Sequence, residues 1–256
     1  MGRKRVVVLC AVALASVLLP GCGAPARHGA HAVDLRPDYD PIEPVNRRVF
    51  WFNDKLDTYV LEPVATGWDR IAPDRVQRSV SNFFLNLRFP IVTVNDVLQG
   101  KLRDGASDVG RFAVNTTVGV LGFFDPATRW GLEQHNEDFG QTLGWWGVRG
   151  GPYLVLPVLG PSSVRETVGL VGDSAASVTP FFVNGWILVG ARTVDTINYR
   201  SLVLEQVREA KRASFDYYSF VRNAYLQRRA GLVKDQEAAP PGAGTEDSLY
   251  HPDETN

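Results

Sequence analysis

Side chains that usually carry chemistry are scarce in this chain. Its 256 residues include two cysteines, one methionine and four histidines. Cys10 lies inside a short N-terminal apolar run, so Cys22 is the one thiol left if that run is removed. A single thiol excludes internal disulfides and thiolate metal centres, and once modified it excludes a cysteine nucleophile as well. His28, His31 and His251 sit in stretches without periodicity, and only His135 lies where the chain is expected to fold. No G-x-S-x-G elbow occurs. Gly172-Asp173-Ser174 shares the Gly-Asp-Ser start of some lipases, but no Asp-x-x-His partner accompanies it. H-E-x-x-H, Walker A and G-x-G-x-x-G patterns are missing too. Glu133, Glu137 and Asp138 flank His135 without any recognised ligand spacing, and a polar loop ahead of Phe139 explains them more simply. The chain reads as a non-enzyme with no metal and no cofactor. A basic excess is also lacking. The tail from Leu232 to Asn256 holds one lysine and six acidic residues, which leaves residues 22–231 close to neutral. A neutral body argues against nucleic acid as a partner.

A long apolar run is the last absence. Val6 to Leu19 is about 14 residues, short of the ~20 needed to cross a bilayer. With Arg3, Lys4 and Arg5 before it, residues 1–21 read as a secretory signal. Leu19-Pro20-Gly21-Cys22 resembles the bacterial lipobox, in which the cysteine is lipidated and becomes the mature N-terminus. The alternative is an ordinary cleaved signal with an incidental cysteine. Acyl chains on Cys22 hold a protein at a membrane surface without crossing it. Gly23, not aspartate, follows the cysteine, the pattern that suggests delivery to the outer membrane on its periplasmic side.

What remains is aromatic and glycine-rich, with six tryptophans. Residues 22–39 read as a flexible tether. Asp40 and Glu43 have capping-box spacing, and Val45, Val49, Phe52 and Leu56 recur at helical period up to Pro63. New helices are expected at Pro63 (Val64, Trp68, Ile71) and at Pro73 (Val76, Val80, Phe83, Leu87). Pro90 opens a shorter one that Gly100 stops, and Leu102 to Thr116 continues the period. Strands with alternating pattern are hard to find, so the fold class is all-α.

Residues 119–161 differ. They are apolar yet studded with Gly and Pro, too broken for a long helix. Burial against the helices is the expectation for most of this segment, because apolar backbone without internal pairing does not tolerate lipid. Ser163 and Glu166 offer a second capping box. Pro180 to Ala191 is strongly apolar and half a bilayer long, which fits either an interfacial hairpin or a buried core helix. A charged helical pattern runs from Arg192 to Arg212, another amphipathic set spans Asp216 to Arg229, and residues 232–256 read as a disordered acidic tail.

Over Asp40 to Arg229 the chain resembles the VacJ/MlaA outer-membrane lipoproteins. The resemblance rests on Asp40-Pro41-x-Glu43 with Asn46-Arg47, and on Asn82-Phe83, Asn86-Leu87, Pro90, Asn95 and Leu98-Gln99-Gly100. It continues through Arg111-Phe112, Asn115-Thr116, Gly119, Gly122, Asp125, Phe139 to Gly144, Gly151-Pro152-Tyr153 and Leu156-Pro157. Gly160-Pro161-Ser162 with Arg165, and Ala224 to Arg229, complete it. The resemblance implies a ring-like arrangement of amphipathic helices over residues 40–231, lipid-anchored in the inner leaflet of the outer membrane. It implies partners too: phospholipid, a trimeric porin, and the periplasmic lipid carrier MlaC. The implied function is removal of misplaced phospholipids from the outer leaflet, which maintains lipid asymmetry. The competing class is a structural lipoprotein that braces a porin or a surface assembly without moving lipid. Two groups are candidates for the lipid path. Gly119, Gly122, Phe123 and Phe124 are expected as a mobile hairpin beside the pore, with ordinary core packing as the alternative for both groups, and replacing both glycines is expected to change transport without unfolding. Phe181, Phe182, Trp186 and Ile187 face the leaflet or line the channel.

Overall fold

The computed structural model describes residues 40–177 and 183–235. The signal, the tether with Cys22, Phe181 and Phe182, and the tail beyond Asp235 lie outside the described residues.

Helix α1 (Glu43–Leu56) begins where the apolar period begins, but without the expected box. Its cap is Ile42, and no side chain bonds the first turn. Asp40 is buried, and its carboxylate accepts from Asn46 Nδ2 at 2.8 Å and from the Tyr218 hydroxyl, with Arg222 at 3.6 Å. An acid enclosed with a cation and two donors is better satisfied there than at an exposed helix start. No break precedes Pro63 either. A π-helical turn (Asp57–Leu61) leads straight into α2 (Glu62–Ile71), and the Glu62 N–H reaches back five residues to Asp57 O. The widened turn accommodates the donor that Pro63 lacks, so the chain restarts its helix without leaving it.

Helices α3 (Asp74–Leu87), α4 (Phe89–Gln99) and α5 (Leu102–Thr117) follow their proline and period signals. Gly100 ends α4 in the left-handed conformation at φ 78°. Next come α6 (Pro126–Arg129), capped by Asp125, and α7 (Phe139–Trp145), capped by Asp138. A two-stranded antiparallel hairpin then pairs β1 (Tyr153–Leu156) with β2 (Gly160–Ser163), Tyr153 opposite Ser163 and Leu156 opposite Gly160. Its signal is faint because β2 reads Gly-Pro-Ser-Ser, and Pro161 is tolerated only because that strand is an edge. Ser163 does cap α8 (Val164–Ala176) by accepting from Glu166 N. Glu166 does not return the bond; its carboxylate turns to Arg165 and Arg229. Helices α9 (Gly185–Leu202), α10 (Leu204–Ala213) and α11 (Tyr217–Val233) close the described chain. Helix α11 runs past Leu232, because Leu232 and Val233 are buried.

The main packing contacts form a closed cycle. Helix α1 continues into α2, α2 packs on α9, α9 on α3, and α3 on α4 and α5. From α4 the contacts pass to α7 and α8, from α8 to β2, and from β1 back to α1, with α11 bridging α7 and β2. Such a cycle has little common interior. Its apolar cluster is small, Tyr153, Val155 and Tyr218, with Val49, Phe50, Tyr225 and Leu226 against it. Many of the deepest residues are amides: Asn46, Gln77, Asn95 and Asn198 are each at most 2% exposed. Asn46 joins α1 to β1, donating to Tyr153 O and accepting from Val155 N, both at 2.9 Å. Asn198 joins α9 to α3, donating to Gln77 O and to Ser81 Oγ at 3.0 Å. Each lost buried partner costs about 1–3 kcal/mol. Asn46→Ala leaves Asp40, Tyr153 O and Val155 N short of a partner, so it is expected to lower unfolding free energy by about 3 kcal/mol or more in a denaturant titration.

Candidate functional site

Where the apolar side chains point decides what surroundings the fold suits. The burial expected for most of residues 119–161 holds in part: Tyr153 and Val155 are core and α7 is packed, but the apolar side chains of the turns are not covered. Val120, Leu121, Phe124, Trp130, Val158 and Leu159 are all exposed. Their backbone is nevertheless paired through turns, which removes the penalty that made burial the expectation. The described part of the Pro180–Ala191 stretch likewise excludes a core helix: Trp186 is 84% exposed and Ile187 63%. Along α1, the π turn and α2, Trp51, Phe52, Tyr59, Val60, Val64 and Ile71 are exposed as well. Soluble monomers rarely expose contiguous apolar patches beyond a few hundred Å².

The Gly119–Phe124 turn is built on the last carbonyls of α5. Leu121 N donates to Thr116 O, Gly122 N to Asn115 O, and Phe124 N to Gly119 O. Val120 and Leu121 take positive φ of 53° and 59°, unusual for such residues and costly for a β-branched one. Gly122, at φ 90°, lies against Asn86, and a Cβ there would stand 2.5 Å from Asn86 Cβ. Phe123 stacks on Phe83 at 4.9 Å, while Phe124 is exposed. The turn borders a cleft between α3, α4 and α5. Asn82, Asn86, Arg111, Asn115 and His135 supply its polar wall, and Phe89 and Phe112 its apolar one, stacked at 4.3 Å. Arg111 is already satisfied by Asp125, Thr128 and Leu132 O. Asp125 stays below the usual carboxylate range although burial alone would raise it, because Thr128 and Arg111 hold the charge. Replacing both glycines carries a structural cost in this geometry, since a Cβ at Gly119 would stand 2.4 Å from Phe124 O as well. Gly122→Ala is expected to destabilise by more than about 1 kcal/mol and to unstack Phe123 from Phe83; aromatic near-ultraviolet dichroism and thermal unfolding check this.

Titratable groups gather behind the cleft. His135 Nδ1 lies 3.0 Å from Asp108 Oδ2, and that bond raises the imidazole pKa although burial opposes it. Asp96 is fully buried with neither oxygen bonded, and burial, reinforced by Asp108 and Glu137, pushes its carboxyl up to about 8. Burial therefore favours its protonated, neutral form. Ser174 Oγ is taken up by its own helix, donating to Leu170 O at 2.7 Å. Among the described residues no group of three His, Cys, Asp or Glu is placed to hold a metal ion. Because the folded Asp96 keeps its proton well above the unfolded pKa, stability drains away as pH rises from 4 towards 8. Asp96→Asn is expected to gain at least about 1 kcal/mol at pH 7.5 and to flatten that slope in unfolding measurements between pH 5 and 8.

Several residues with long-range work carry no signal as sites. Arg229 forks onto Asp138, at 2.7 Å from Nη1, and reaches Glu166. Burial alone would raise the Asp138 carboxyl, but Arg229 outweighs it and holds the group at about 2. Arg47 chelates Asp216, and Arg200 binds Asp57 at 2.7 Å. Helices α7 and α8 approach so closely that a Cβ on Gly169 would stand 2.5 Å from Gly140 N. Many of these residues belong to the pattern Asp40, Asn46-Arg47, Asn95, Gly140 to Thr142 and Arg229 quoted above, so the pattern marks joints between elements.

Comparison with known proteins identifies the architecture. A family model described as MlaA lipoprotein matches residues 38–231. The chain is 34% identical over 237 residues to the intermembrane phospholipid transport system lipoprotein MlaA of Escherichia coli, covering 91% of each. It is 32% identical over 240 residues to the protein of that name from Haemophilus influenzae, covering 91% and 92%. An uncharacterised Rickettsia felis protein is 36% identical over 200 residues, covering 78% and 80%. A solved structure described as "Structural basis for maintenance of bacterial outer membrane lipid asymmetry" superposes with a TM-score of 0.68 at 35% identity, covering 76% of this chain and 98% of that one.

Proposed function

The chain belongs to the MlaA lipoprotein family, and from that premise we propose that it takes phospholipids out of the outer leaflet of the outer membrane and passes them inward. It works as an outer-membrane lipoprotein, held on the periplasmic side by acyl chains on Cys22. The observation that carries this reading is the apolar exterior of a closed helical cycle that buries few apolar side chains of its own. In water that surface costs roughly 25 cal/mol per Å²; in lipid it costs nothing. No helix among the described residues is long and apolar enough to cross a membrane, which suits a body seated in one leaflet.

The route proposed for a headgroup is a polar one, with the acyl chains kept in apolar surroundings. Exposing those chains to water costs about 0.8 kcal/mol per CH₂, so a shielded path accounts for most of the gain. The chain performs this as a conduit rather than an enzyme, beside a trimeric porin and in contact with a soluble lipid carrier of the MlaC type. Gly119 to Phe124 and the Phe181–Ile187 stretch remain its proposed membrane-facing or path-lining elements. The test is the phospholipid exposed on the cell surface of a strain lacking the protein. Surface phospholipid is expected to rise, and to fall again with the wild type but not with an equally expressed Cys22→Ala protein. No rise on deletion leaves the bracing role and overturns transport.

A further inference from the structure

The seam between α3 and α9 carries charges that the fold leaves unpaired. Its register is set by amides and hydroxyls: Ser201 Oγ donates to Gln77 Oε1 at 2.8 Å, and Asn198 Nδ2 to Ser81 Oγ at 3.0 Å. As the numbers fall along α9 they rise along α3, so the two helices run antiparallel. Continuing that register one to two turns brings Asp195 and Arg192 to the end of α3, where Arg88 joins it to α4. The charges confirm the placement. Arg88 and Arg192 both act on the Asp195 carboxyl, and Arg88 acts on Asp173 of α8 as well.

These groups are near one another without touching. Among the described residues, neither Arg88, Arg192 nor Asp195 makes a side-chain hydrogen bond or an ion pair. Asp195 is half-buried, which pushes its carboxyl up despite both arginines. Elsewhere in this protein the half-buried carboxylates at helix junctions are claimed, Asp57 by Arg200 and Lys211, Asp138 by Arg229. Two guanidinium groups, that of Arg192 exposed, and a partly desolvated carboxylate, near one another but beyond ion-pair distance, suit a ligand with both signs of charge. Phosphate answers the guanidinium groups through charge-assisted bonds, and a primary ammonium answers Asp195. A phosphoglycerol headgroup supplies the phosphate but only hydroxyls for Asp195.

We infer that Arg88, Arg192 and Asp195 form a headgroup subsite that favours phosphoethanolamine lipids over phosphoglycerol lipids. The inference rests on the phospholipid-transport reading and adds a preference to it. The test uses the purified full chain in vesicles made of equal amounts of phosphatidylethanolamine and phosphatidylglycerol. Each carries a trace of one lipid labelled on its acyl chain, and dithionite quenching follows movement between leaflets. Wild type is expected to move the labelled phosphatidylethanolamine about fivefold faster than the phosphatidylglycerol. Asp195→Asn brings the ratio close to one, Asp195→Glu restores much of it, and Arg88→Gln slows both lipids. Soluble phosphoethanolamine slows the wild type more than glycerol phosphate does, which tests the subsite even if a variant fails to fold. A wild-type ratio of one, or a folded Asp195→Asn that keeps the wild-type ratio, overturns the subsite while transport stands. If the wild type moves neither label, the transport reading itself fails, and the subsite with it.

Discussion

The structure depends on buried amides that hydrogen-bond across helices. A chain that arranges its elements in a closed cycle forgoes the shared apolar centre that stabilises most domains. Something else must fix each element against the next. Asn46 locks α1 to β1, Asn198 and Gln77 lock α9 to α3, and Asn95 with Thr142 and Asp173 locks α4 to α7 and α8. Such bonds add little net energy each, but leaving one partner unmade is expensive, so they specify one register and reject its neighbours. The arginine forks at Arg47, Arg200 and Arg229 repeat this logic with charge.

That division of labour frees the apolar side chains to face outward. Trp186, Ile187, Leu159 and Phe124 are placed as if the surroundings, and not the interior, were the oil. The turns between 119 and 161 then make sense. Their glycines and prolines keep the backbone paired within tight turns, so the segment presents apolar side chains without presenting unpaired peptide groups.

Much of the fold was legible because helices announce themselves locally. Prolines at 63, 73 and 90, Gly100, and the cap at Ser163 all act within a turn of their own position. What was not legible depends on distant partners. Asp40 abandons its local cap because Asn46 and Tyr218 claim it, and nothing within four residues of Asp40 reveals Tyr218. The hairpin is hidden because β2 has no apolar side chain beyond Pro161 to alternate. Outward burial was misjudged since periodicity locates a face without telling whether it meets protein or lipid. Of the site, the Gly119–Phe124 turn was visible as a composition anomaly. Arg88, Arg192 and Asp195 were not, for a charged residue on a helix looks the same paired or unpaired.

The closing bonds of the cycle span long stretches of chain: Asn46 to Tyr153 is 107 residues, and Trp68 to Asn198 is 130. Contacts that distant form late, because the entropy of bringing the ends together is spent before any bond repays it. Until they form, α1 and α2 have no partner on their inner side, and their outer side is apolar in any case. A chain whose closing bonds form late therefore passes through a stage in which its amphipathic helices have both faces uncovered.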